Sequence, residues 1–99
     1  MWEALIVTNE RFKDDNRFEE DRVVTVFYKD SQGKVHSVTL TQKDLLECTQ
    51  LASRASNVLA DVAIGAHVVG GKITIQTKAA RKAFLRELDR MRKLRSDLQ

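Results

Sequence analysis

The sequence predicts an α+β fold. The expected form is a two-layer sandwich, with two long helices on one face of a largely antiparallel sheet of four to five strands. The expected element order is β-β-β-α-β-β-α. Three observations carry this. Residues 22–41 (RVVTVFYKDSQGKVHSVTLT) are two β-rich runs around a turn, and a helical period follows them directly. Residues 66–77 (AHVVGGKITIQT) are again two β-branched runs around glycine, and a second helical period follows. The 99 residues, with 42% apolar and 31% charged side chains, have the balance of one globular domain spanning 1–99.

The first strand is expected over Met1–Thr8. Trp2, Ala4 and Ile6 alternate with Glu3, Leu5 and Val7, although the contiguous apolar run also suits a strand buried on both faces. Residues 9–21 (NERFKDDNRFEED) hold six acids, three bases and no glycine. They read as a polar connection with a helical turn, pinned to the body by Phe12 and Phe18. The acids lack the alternate spacing and central glycine of a calcium loop, so a solvated acidic segment is the better reading.

Asp30-Ser31-Gln32-Gly33 marks the first hairpin turn, with Gly33 in the left-handed conformation that a bulged turn needs. That geometry fixes the register. Tyr28 faces His36, Val26 faces Val38 and Val24 faces Leu40 on one apolar face. Val23, Thr25, Phe27 and Lys29 face Thr41, Thr39, Ser37 and Val35 on a mixed one. A slip of one residue would scramble both faces.

Thr41-Gln42-Lys43-Asp44 reads as a capping box that starts the first helix. Leu45, Cys48, Leu51, Ala52, Ala55, Val58, Leu59, Val62 and Ala63 fall within an arc of roughly 140°. The expected helix therefore runs to Ile64, with Gly65 as its stop. Gly70-Gly71 then reads as a two-residue hairpin turn, which sets Val69 opposite Lys72, Val68 opposite Ile73, His67 opposite Thr74 and Ala66 opposite Ile75. The longer glycine pattern of a phosphate-gripping loop is missing.

Thr77 can cap the final helix, expected from Lys78 to about Leu98. Residues 78–99 carry eight bases and three acids, so +5 in a chain whose total is +3. Ala80, Ala83, Phe84, Leu88, Met91, Leu94 and Leu98 share the apolar arc, again roughly 140° wide. Arg81, Lys82, Arg86, Arg90, Arg92 and Lys93 spread over the rest, with Lys78, as a face that can follow a phosphate backbone and release counterions. A solvated basic face without a partner fits the same pattern, because bases near a helix C-terminus suit its dipole. The helix offers no aromatic interleaving for single strands, since Phe84 is on its apolar side.

Glu87 and Arg95 fall inside the apolar arc, where unpaired charges are costly. That oddity predicts either a helix end that projects from the domain or a homodimer. In the dimer, Glu87, Met91 and Arg95 would form the interface, with Glu87 of one copy meeting Arg95 of the other.

Catalysis and cofactors find little support. The lone Cys48 lies in an apolar arc and reads as a small buried hydrophobe in a reducing, cytoplasmic setting. His36 and His67 lack the spacing of metal ligands. No run of the sequence reaches the length of a membrane span, and no basic leader precedes Ala4-Leu5-Ile6-Val7. The expected function is a small non-enzymatic binding module, without metal or cofactor, whose last helix contacts nucleic-acid backbone. The alternative is an adaptor or inhibitor that docks on a larger protein with an acidic surface, using the basic helix or a sheet edge. A third possibility is a small enzyme with a shared site near Tyr28 and His36, joined by acids from residues 9–21.

Overall fold

The computed structural model describes the backbone of residues 2–56, 62–68 and 70–99, and the side chains of residues 2–55 and 71–99. Five strands form one antiparallel sheet: β1 (Trp2–Phe12), β2 (Arg22–Lys29), β3 (Val35–Thr41), β4 (Val62–Val68) and β5 (Gly70–Ile75). Two helices, α1 (Gln42–Ser56) and α2 (Lys78–Leu94), lie on one face of it. The element order is the expected one. The strands are arranged β3-β2-β1-β5-β4, so the first strand is the middle of the sheet.

The first hairpin follows its sequence logic. Gly33 takes φ 80°, and the Asp30 amide donates to the Lys34 carbonyl at 2.9 Å. Asp30 also accepts the Gln32 and Lys34 amides on one carboxylate oxygen, both at 2.9 Å, which rigidifies the turn. Tyr28 pairs with His36, Val26 with Val38, Val24 with Leu40, and the mixed face pairs as expected.

Alternation then builds the core. Ala4, Val24, Val26, Val38, Leu40, Ile73 and Ile75 point to the helices and are buried. Leu45, Cys48 and Ala52 of α1 meet them, as do Ala80, Ala83, Phe84, Leu88 and Met91 of α2. Both helices start on side-chain caps. Thr41 Oγ1 accepts the Asp44 amide at 3.1 Å and Asp44 Oδ2 accepts the Thr41 amide at 3.4 Å. Thr77 Oγ1 accepts the Ala80 amide at 3.2 Å. Each cap satisfies donors that a helix start leaves open.

Several expectations are corrected. The first helix is described over Gln42–Ser56, and Val62, Ala63, Ile64 and Gly65 belong to β4 instead. A β-branched run that fits the helical period also fits a pleated surface, and pairing with β5 decides between them. Val58 and Leu59 lie outside the described residues. The second hairpin has another register: Ile75 faces Val62, Thr74 faces Ala63, Ile73 faces Ile64, Lys72 faces Gly65 and Gly70 faces Val68. Gly70 and Gly71 are both part of β5 rather than a turn, and a bulge between Gly65 and Val68 takes up one extra residue. The expected Val69–Lys72 pair involves a residue outside the described ones.

β1 runs four residues beyond Thr8, with a bulge, until Phe12 pairs with Arg22. The Phe12 ring lies under two guanidiniums, Arg22 at 4.6 Å and Arg17 at 5.4 Å. It is held by cations rather than by the core. Phe18 is 64% exposed and pins nothing. The acidic connection forms two short 3-10 turns, Lys13–Asp15 and Glu19–Asp21. α2 stops at Leu94, and Ser96–Leu98 is a 3-10 turn. The backbone leaves helical geometry at Arg95 (φ −106°, ψ 39°); Leu94 before it is exposed, and Leu98 in the turn after it is buried.

Candidate nucleic-acid interface on the last helix

The eight bases of residues 78–99 divide into two groups. Those of the second half are engaged. Arg90 Nε donates to Glu87 at 2.7 Å, and its other end reaches Glu47 of α1 at 3.4 Å. Arg92 and Lys93 share Asp89 at 3.5 and 3.3 Å. Arg92 also donates to the Ser37 carbonyl at the sheet edge, at 3.4 Å.

Arg95 turns inward. Its Nε and Nη2 donate to the two oxygens of Asp44, at 2.8 and 3.3 Å. Asp44 is only 4% exposed. Burial pushes its carboxyl upward, but hydrogen bonds from Arg95 and Thr41 outweigh that and hold it below the usual carboxylate range. The charges that looked unpaired in the apolar arc thus have partners within the chain: Arg95 on Asp44, and Glu87 on Arg90. Met91, the third expected interface residue, is 1% exposed and part of the core. The spacing that motivated a dimer is therefore explained inside one chain, and the helix end neither projects nor needs a second copy to neutralise it.

The first half is different. Lys78, Arg81, Lys82 and Arg86 make no ion pair among the described residues. At helical spacing they span one face of α2, opposite Ala80, Phe84 and Leu88. Among the described residues, Lys78, Arg81, Lys82 and Arg86 are the bases of α2 without an ion-pair partner. The first turn of α2 contains no acid, although a helix start carries partial positive charge and favours acids there.

The sheet order brings an aromatic residue to this end of the helix. Trp2 of β1 pairs with Ile75 of β5, the strand that leads through Gln76 and Thr77 into α2. Trp2, Ile75, Gln76, Thr77, Lys78 and Arg81 line an open cleft of about 210 Å³. The indole is half-buried, tilted at 54° to Tyr28 with ring centroids 5.8 Å apart, and edge-on to Phe84 at 6.0 Å. No sequence signal places Trp2 here, because strand order cannot be read from local pattern.

Tyr28 and His36 form the expected cross-strand pair, stacked at 5.2 Å with 18° between planes. The acid that joins them comes from the hairpin turn and not from residues 9–21. His36 Nε2 donates to Asp30 Oδ2 at 2.8 Å. That bond first, then the Lys34 amide, lowers the Asp30 pKa. With two amides also on the same carboxylate, Asp30 is committed to the turn. Among the described residues no three His, Cys, Asp or Glu side chains converge as a metal site would require, and no helix is long and apolar enough to cross a membrane.

The outer face of the sheet carries Leu5, Val7, Phe27 and Val35, all exposed, with Leu5 directly opposite Phe27. At the other end of that face Val23 and Thr41 are buried.

Comparison with known proteins gives no match. No family model fits the chain, and no significantly similar curated protein or solved structure is found.

Proposed function

We propose that the protein is a small non-enzymatic binding module that contacts the phosphate backbone of nucleic acid through the first half of α2. One observation carries the reading: among the described residues Lys78, Arg81, Lys82 and Arg86 have no ion-pair partner on one helical face, while the bases that follow are paired. Three of them crowd a helix start that already repels cations, a cost to the free protein that an anion would relieve. Contacts to backbone give affinity with little sequence preference. The binding residues therefore shift from the whole helix toward its N-terminal half, with Lys78 joining the expected set. The buried free thiol of Cys48 suits a reducing, cytoplasmic setting.

The test is fluorescence anisotropy with labelled duplex DNA, single-stranded DNA and RNA over a salt series. From about four phosphate contacts, the expected plot of log K against log salt has a slope of about −2.8 on single strands and about −3.6 on duplex DNA. Changing Lys78, Arg81 and Lys82 together to Glu should abolish binding. Acids at a helix start are stabilising, so the loss cannot be blamed on unfolding. Changing Arg92 and Lys93 should matter much less. No binding at low salt would overturn the proposal.

The uncovered sheet face favours a second reading, an adaptor that docks on a larger protein. Apolar side chains in one patch are a common mark of a protein interface. The alternative route, an added strand at β3, is already occupied: the Gln99 side-chain amide bonds both the N–H and the C=O of Thr39, at 3.1 and 2.6 Å. A pull-down that is lost on changing Phe27 to Lys, but survives the triple Glu variant, would favour the adaptor.

A further inference from the structure

We propose that the cleft beside Trp2 is a base pocket. It takes one unstacked nucleobase of a single-stranded nucleic acid against the indole, with the adjoining phosphates on Lys78 and Arg81. This rests on the phosphate reading above and narrows it to single strands.

The argument starts from the cleft walls. One wall is an aromatic ring, and single-stranded nucleic acid is held by stacking on such rings without regard to sequence. The Trp2 ring is fixed from behind by Tyr28 and Phe84, so binding need not order it. The opposite rim carries Lys78 and Arg81, neither of which has an ion-pair partner among the described residues. Gln76, exposed at the mouth, supplies an amide donor and acceptor of the kind that meets a base edge. Two amides of the helix start are already taken, since Thr77 accepts from the Ala80 and Arg81 amides. The volume is also informative. About 210 Å³ lies below the roughly 300–1,000 Å³ of pockets for drug-sized ligands, and it suits one planar ring system rather than a whole cofactor.

A duplex cannot use this cleft as it stands. Its bases are covered on both faces, and extruding one costs stacking and pairing. The cations alone would serve either form. The ring is what separates them.

Trp2 is the only tryptophan, so its emission reports occupancy of the cleft without any substitution. The wild-type protein is titrated with a short oligothymidylate, with a strand of the same length made of abasic phosphodiester, and with a matched duplex. Indole emission and anisotropy of the labelled strands are followed together. The expected result is that oligothymidylate quenches Trp2 at the concentration where anisotropy rises. The abasic strand should bind roughly 5- to 150-fold more weakly, the value of one stacked base, and leave the emission unchanged. Gln76→Ala and Lys78→Ala, both at exposed positions, should weaken quenching and binding in parallel. Equal binding of abasic and thymidylate strands without quenching would overturn the base pocket and leave phosphate binding standing. No anisotropy change with any strand would overturn both.

Discussion

Removing the Arg95 guanidinium should destabilise the protein far more than removing any base of α2. The substitution Arg95→Met keeps the apolar stem and deletes the charge. It leaves the Asp44 carboxylate, 4% exposed, held among the described residues by Thr41 alone, whose amide donates at 3.4 Å. Stripping one partner from a fully buried ion pair costs about 3–5 kcal/mol. The Arg95 side chain is 26% exposed, so water can enter where it stood, and the expected cost falls to about 2–3 kcal/mol. That is a large part of the roughly 5–15 kcal/mol available to a domain of this size. In urea the midpoint should drop by about 1–2 M, and the melting temperature by roughly 10–20 °C. Replacing Asp44 with Asn in the same chain removes the stranded charge, so the double variant should recover at least about 1 kcal/mol over Arg95→Met alone. The matched control is Lys93→Met, whose pair with Asp89 is on the surface and worth about 0–1 kcal/mol. An Arg95→Met variant within about 0.5 kcal/mol of wild type, or no coupling in the cycle, would refute the claim that this pair joins the two helices.

Two further outcomes are expected. Asp44 has a folded-state pKa below its unfolded value, so the unfolded chain binds more protons on acidification; the stabilisation is complete above the unfolded carboxylate pKa of about 4 and is lost as pH falls below it. Urea midpoints at a series of pH values from 7 to 2.5 should therefore show the gap between wild type and Arg95→Met closing at the acid end, and a gap that stays constant would contradict the assignment. Burial, with help from the Glu87 carboxylate, pushes the Cys48 thiol up to about 12, so a thiol reagent at neutral pH should label native protein only as fast as it unfolds, and stoichiometric labelling within minutes would show that the thiol is accessible.

Much of the architecture is legible in the residues because local signals and tertiary pattern agree. Gly33, the alternation on either side of it and the Thr41–Asp44 box each point to the same hairpin and helix start. The end of α1 is not legible in this way. Val62, Ala63 and Ile64 satisfy a helical arc and a strand equally, and only pairing with Ile73 and Ile75 separates the two. The doubled glycine misleads for a related reason: it is a turn signal whose meaning depends on where the partner strand begins. Arg95 and Asp44 are 51 residues apart. At helical spacing Asp44 falls in the apolar arc of α1 as Arg95 does in that of α2, and two such opposite charges are a cue that the pair exists. Whether a basic side chain is paired or free, the distinction that moves the candidate site toward Lys78, is legible where Glu87 and Asp89 lie one turn from Arg90, Arg92 and Lys93, but not where the partner is Glu47 or Asp44 of another helix. The approach of Trp2 to Arg81 depends on strand order, which follows from how the whole sheet closes.

The central place of β1 also has a consequence for how the chain is made. During synthesis β1, β2 and β3 emerge in order, and α1 follows, so a three-stranded meander with one helix can assemble early. In it one side of β1 is an open edge over Trp2–Ile6, because its neighbour there is β5, some seventy residues later in translation. Until the ribosome has released Gly70–Ile75, that row of amides and carbonyls is bare and attractive to any other extended chain. Translation speed between residues 42 and 75, and chaperone access in that interval, should therefore govern the yield of folded protein more than any change to the early hairpin.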